Sequence, residues 1–190
     1  GVVPLHRVTV DDSRLDGGEV SATIVKDGGA TVGGEADGDT SGVAAVFDRV
    51  SYRDSIQLDV TAREGAEFYE EPTVSVLDPK AVVSEPVKSD GHYKFTISNI
   101  HDDTAISVSG RIKKSIENAS ISVVGSGYPY DAAGVEHVAC VIDEDGNILA
   151  EGDDFTETYA NNKNVGFGTV TVTGINAYAG QVTKQFKIKP

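Results

Sequence analysis

Between residues 155 and 173 the side chains alternate regularly enough to fix both the local structure and the face of it that is buried. Phe155 and Tyr159 fall on one face of a strand, and Val170 and Val172 on one face of the next. Thr156, Thr158, Thr169, Thr171 and Thr173 take the opposite faces, as a sheet with one side on a core and one in water requires. Asn161, Asn162, Lys163 and Asn164 separate the two runs; Asn tolerates left-handed backbone and hydrogen-bonds its own turn. Gly174 and Gly180 bracket an aromatic-bearing loop, and Phe186 and Ile188 mark a final strand. Helical periodicity is almost absent from the chain, and short alternating runs separated by turn residues point to an all-β protein.

Residues 149–162 read L-A-E-G-D-D-F-T-E-T-Y-A-N-N, followed by G-F-G-T-V-T-V-T-G, Y-A-G and F-K-I. This resembles a tandem repeat of bacterial cell-surface proteins, L-x-x-G-x-D-[Y/F]-x-x-x-Y-x-N-N, then G-x-[A/G]-x-V-x-V-x-G, Y-x-G and F-x-I. The segment Gly125-Ser126-Gly127-Tyr128-Pro129-Tyr130 resembles the Y-x-Y-[T/D]-G stretch that opens the same repeat. The resemblance implies a small extracellular β-domain of Ig-like or β-grasp-like kind, on a cell surface, cell-wall associated or secreted. Where the repeat has an apolar residue this chain has Glu157. A carboxylate there implies an edge strand or a locally open core, and the cost of burying an unpaired charge favours the edge. Upstream, V-T-A-R-E-G-A-E-F and G-H-Y-K-F-T-I-S-N-I-H-D-D-T-A-I-S-V are loosely similar to bacterial repeats related to the internalin B-repeat, over residues 54–110.

Two modules are expected, 1–112 and 113–190, parted at R-I-K-K-S and joined end to end. The first should carry strands near 7–10, 19–25, 43–47, 55–62, 73–77, 93–97 and 104–109, a number and spacing that suit a sandwich or a similar small β-fold. In it Ile56, Leu58, Val60 and Ala62 share a face, as do Tyr93, Phe95 and Ile97. In the second, strands are expected at 119–124 and 136–142 before a tight turn at Asp143-Glu144-Asp145-Gly146-Asn147. Cys140, alternating with Val138 and Ile142, is expected to face the core as a small hydrophobe.

The chain has 16 Lys and Arg against 30 Asp and Glu, a net charge of −14. Residues 1–112 hold ten basic and twenty acidic side chains, residues 113–190 six and ten, so the acidity is concentrated in the first module. So acidic a surface argues against nucleic-acid and anionic-lipid partners. No run of residues is long and apolar enough to span a bilayer as a helix. One cysteine rules out an intrachain disulfide and a cysteine-based zinc site.

No catalytic residue, metal ligand or cofactor is expected. D-E-D-G-N at 143–147 has the acidic start of a calcium loop but resumes a strand where an EF-hand would supply its last ligand, so it reads as a hairpin turn. Asp37-Gly38-Asp39, and His101-Asp102-Asp103 with His92, read as solvated turns. The resemblance implies that a Lys–Asn crosslink between strands can occur in modules of this class, and Lys184, Asn162 or Asn176, and Glu157 as the acid are the residues that would form it here. The expected function is therefore non-catalytic: a stalk, spacer or adhesion module of a bacterial surface or secreted protein, monomeric within a larger multidomain chain. An alternative is a module that binds a host glycan or glycoprotein, with Tyr128, Tyr130 and Tyr178 as stacking residues. Another is an accessory domain of a larger extracellular enzyme.

Overall fold

The computed structural model describes residues 1–34 and 42–190, so the acidic turn Asp37-Gly38-Asp39 and most of the segment around it lie outside the described residues. The fold is nearly all β, in several antiparallel sheets. It divides into two compact units, Gly1–Ile112 and Lys113–Pro190.

Among its described residues the first unit contains ten strands: β1 (His6–Asp16), β2 (Gly18–Val25), β3 (Thr31–Gly33), β4 (Val43–Val50), β5 (Ser55–Ala62), β6 (Phe68–Val76), β7 (Val82–Val83), β8 (Val87–Ser89), β9 (His92–Ser98) and β10 (Thr104–Ile112). One sheet runs β4-β1-β10-β6 and the other β3-β2-β5-β9-β7, with β8 also on β9. The first and last long strands, β1 and β10, are parallel neighbours, from Val8 opposite Thr104 to Asp16 opposite Arg111. Alternation buries Val8, Val10, Ile106 and Val108 from one sheet against Ile56, Leu58, Val60, Phe95 and Ile97 from the other. These residues form one continuous core, so the unit is a two-layer sandwich.

The corner between β1 and β2 depends on Gly17, whose φ is +75°. A Cβ there would sit 2.3 Å from Cδ1 of the buried Ile112 at the end of β10. Gly65 has the same φ but opens onto empty space. The pair therefore separates backbone strain from packing.

The second unit holds β11 (Lys114–Ser115), β12 (Ser120–Ser122), β13 (Tyr128–Pro129), β14 (Cys140–Ile142), β15 (Phe155–Ala160), β16 (Gly166–Gly174), β17 (Tyr178–Ala179) and β18 (Gln181–Lys189), with a short 3-10 turn at Ile116–Asn118. Its main sheet runs β13-β18-β16-β15; β11 pairs with β17 and β12 with β14. Phe155, Val170, Val172, Phe186 and Ile188 face the core, and the threonines of β15 and β16 face outward or lie half-buried. Gly168 lies opposite Phe186, and any side chain at that position would collide with the ring. The space admits Phe186, onto which Tyr128 and Tyr159 pack edge-on, both at 5.9 Å between ring centroids. β15 is an edge strand, and Glu157 sits on it half-buried.

The expectation for Cys140 is wrong. Its side chain is exposed, while Val138 and Val141 are buried. The expected strand at 136–142 shrinks to Cys140–Ile142, because His137 takes left-handed backbone at φ 58° and breaks the alternation. Val138 and Val141 then reach the core three residues apart, which no strand register allows.

Two predictions follow from this packing. Gly65→Ala should cost about 1 kcal/mol and Gly17→Ala about 2–4 kcal/mol, the excess measuring the Ile112 clash, as read by chemical denaturation. Cys140 in the native protein should react with a thiol reagent at nearly the rate of the unfolded chain, and Cys140→Ser should change stability by less than about 0.5 kcal/mol.

Candidate functional site

Among the described residues three acidic side chains are buried, and each organises a loop. Asp54 accepts the backbone N–H groups of Asp27 and Ser51 and the Lys26 ammonium, 2.8 Å away. Burial pushes its carboxyl up, but these donors together hold it below the ordinary carboxylate value. Asp78 accepts N–H groups from Lys80, His101 and Asp102, and its own N–H donates to Thr104 Oγ1. The His101 amide, ahead of the opposing effect of burial, lowers its pKa. The His101-Asp102-Asp103 turn is thus held by a carboxylate from a different loop.

Asp143 is the most saturated of the three. Its Oδ1 accepts the N–H groups of Asp145 and Asn147, and its Oδ2 accepts the Asn147 amide and the Tyr178 hydroxyl, all at 2.8–3.0 Å. Those four donors fill the acceptor positions of a carboxylate. The loop closes as a hairpin through Asp143 N–H to the Asn147 carbonyl and Leu149 N–H to the Val141 carbonyl. Burial alone would raise the Asp143 pKa; the four donors outweigh it and bring it down to about 2.

The three tyrosines singled out in the sequence have different surroundings. Tyr178 is buried, with its hydroxyl on Asp143, and burial together with that carboxylate pushes its pKa up to about 12. Tyr128 is half-buried; its hydroxyl accepts the Val124 N–H and donates to the Val138 carbonyl. Tyr130 is 50% exposed and is tied to the sheet by its backbone N–H on the Lys189 carbonyl. Only Tyr130 of the three offers an open ring face. Tyr178 and Tyr128 pack into the unit, so of the three candidate stacking residues Tyr130 is the most exposed.

Among the described residues, one group of three His, Cys, Asp or Glu side chains brings ligand atoms within 4.8 Å of one another: His137, Glu151 and Glu157. Each comes from a separate segment. His137 belongs to a stretch pinned by Val135 N–H on the Asn162 carbonyl and Val138 N–H on the Tyr159 hydroxyl. Glu151 projects from the tight turn that leads into β15, where Gly152 N–H meets the Phe155 carbonyl. Glu157 lies on β15, its Oε2 accepting the Tyr159 hydroxyl at 2.6 Å. His137 Nδ1 lies 2.9 Å from Glu151 Oε2. The Glu151 hydrogen bond chiefly, then the charges of Glu151, Glu157 and Glu136, raise the His137 pKa. Burial and Glu157 raise that of Tyr159.

No family model, curated protein or solved structure matches the chain.

Among the described residues, the other histidines do not assemble a comparable group. His92 faces Asp59 at 2.8 Å on the β9–β5 surface. His101 stacks on Tyr52 at 5.4 Å and turns Nδ1 to the Asn99 carbonyl. Asp103 instead accepts the Arg7 N–H, with His6 at 3.5 Å. Asn162 and Asn176 give their amides to the carbonyls of Val135 and Asp153, and Lys184 is exposed, so those amides face partners other than a lysine. The His137 cluster escaped the sequence reading because its members are 14 and 6 residues apart and match no motif; the one available signal was the inward-facing Glu157.

Because the folded-state pKa of Asp143 lies below the ordinary 3.8, the carboxylate stabilises the second unit at pH above about 4 and loses that contribution as pH falls toward about 2. Asp143→Asn should therefore cost about 1–3 kcal/mol at pH 7 and flatten the acid limb of stability, followed by hydrogen exchange of the β16 amides between pH 7 and pH 2. An unchanged acid limb would contradict this.

Proposed function

We propose that this chain is a non-catalytic pair of modules from a bacterial cell-surface or secreted protein, serving as a stalk, spacer or adhesion element outside the cell. The observation that carries the proposal is the parallel pairing of β1 with β10. A stalk is pulled from its two ends. Force applied at the start of β1 and the end of β10 acts along the strands in opposite directions, so the hydrogen bonds between them are sheared together rather than opened one at a time. The pairing holds from Val8 to Asp16 with a single irregularity between Asp11 and Arg14. Two self-contained cores suit a chain that must stay folded while serving as a spacer.

The strongly acidic composition and the resemblance to bacterial surface repeats support the same reading. So does the saturation of the buried aspartates, which leaves Asp54, Asp78 and Asp143 occupied with structural hydrogen bonds. For adhesion to a host glycan, Tyr130 supplies the exposed stacking ring.

Single-molecule stretching of the whole chain should give two separate unfolding steps, releasing roughly 35 nm and roughly 25 nm at ~3.5 Å per residue. The longer step belongs to the first unit and should occur at the higher force, since the second unit begins with the two-residue strand β11 on β17. A single step, or early opening of the first unit at low force, would overturn the reading.

A further inference from the structure

The His137 cluster has no part in carrying force, and its make-up is unusual for a surface turn. Glu157 occupies the side of β15 that carries Phe155 and Tyr159, where an apolar residue would pack and a carboxylate is costly. It is nevertheless held in place, with Tyr159 fixing one of its oxygens. Glu151 arrives from the turn before β15 and His137 from the pinned stretch across from it. Two carboxylates and the nearby Glu136 surround one imidazole, leaving an excess of negative charge even when the ring is protonated.

We propose that His137, Glu151 and Glu157 bind one divalent transition-metal ion, zinc by the chemistry of the donors. An imidazole nitrogen with two carboxylate oxygens suits zinc, whereas calcium and magnesium favour shells made wholly of oxygen. A tetrahedral zinc with bonds of about 2.0–2.1 Å sets its ligand atoms about 3.3 Å apart. His137 Nδ1 and Glu151 Oε2, at 2.9 Å, need only a small opening to exchange a shared proton for the ion. Glu157 closes from within 4.8 Å, using Oε1 while Oε2 stays on Tyr159. That hydroxyl is the kind of outer-shell partner that orients a ligating carboxylate. Three protein ligands leave a fourth position for water. The bound ion ties the His137 and Glu151 segments to the edge strand β15 of the main sheet and acts as a clip on the second unit.

The experiment is a zinc titration of the whole chain against a competing chromophoric chelator, with thermal melting read in parallel. One equivalent should bind with a dissociation constant on the order of micromolar, and zinc should raise the melting temperature of the second unit. His137→Ala, Glu151→Gln and Glu157→Gln should each weaken binding by on the order of ten-fold or more and abolish the melting shift. Glu157→Gln can keep the Tyr159 hydrogen bond, and metal-free melting checks that each variant is folded. Cys140→Ser should bind as the parent does, which separates this site from the exposed thiol nearby in sequence. His92→Ala, which removes the pair with Asp59, should also bind as the parent does. Binding weaker than millimolar, binding indifferent to His137→Ala, or binding lost in Cys140→Ser or His92→Ala would overturn the proposal.

Discussion

The first unit depends on the contact between its first and last long strands. Without the parallel pairing of β1 and β10, the sheet β4-β1-β10-β6 falls into two hairpin-like pairs with Val8, Val10, Ile106 and Val108 no longer aligned over the opposing sheet. The pairing joins residues about a hundred positions apart, so it forms only when most of the sandwich is in place, and it then makes the unit cooperative. The same contact determines the glycine at the β1–β2 corner, since Gly17 must pass close over Ile112.

Where the chain cannot rely on regular pairing, it uses buried carboxylates. Asp54, Asp78 and Asp143 each gather N–H groups from the loops around them. Their lowered pKa values are the electrostatic mark of that role. A perturbed carboxylate in a loop invites a catalytic reading. In these three the perturbation comes from donors within the fold, so it describes architecture. The His137 cluster differs because its groups are solvent-accessible and face one another across three segments.

The alternation of Ile56, Leu58 and Val60, of Phe95 and Ile97, and of Val170 and Val172 was legible in the sequence because burying one face of a sheet writes a period of two into it. The short strands β3, β7 and β8 were not, since their side chains are mostly exposed and leave no pattern. The segment before β14 was misread for the opposite reason. Its apolar residues imitate a strand, but a left-handed His137 resets the register and turns Cys140 outward. Tyr178 looked like a loop aromatic, and its destination was set by Asp143, 35 residues away, which no local pattern encodes. The anomalous Glu157 and its place on an edge strand were legible from the start, because a buried unpaired carboxylate is costly; its partners needed three dimensions.

The proposed force-carrying role rests on direction: the β1–β10 contact should resist shear far better than peeling. Stretching the first unit in two geometries compares the two directly, in a Cys140→Ser background so that only introduced thiols are coupled. In one, the chain is held at its ends; in the other, at cysteines replacing Leu5 and Asp102, both exposed and both near the starts of β1 and β10, so that force opens the pair bond by bond. The account predicts a several-fold higher unfolding force from the ends than from the adjacent strand starts. Equal forces in the two geometries would contradict it.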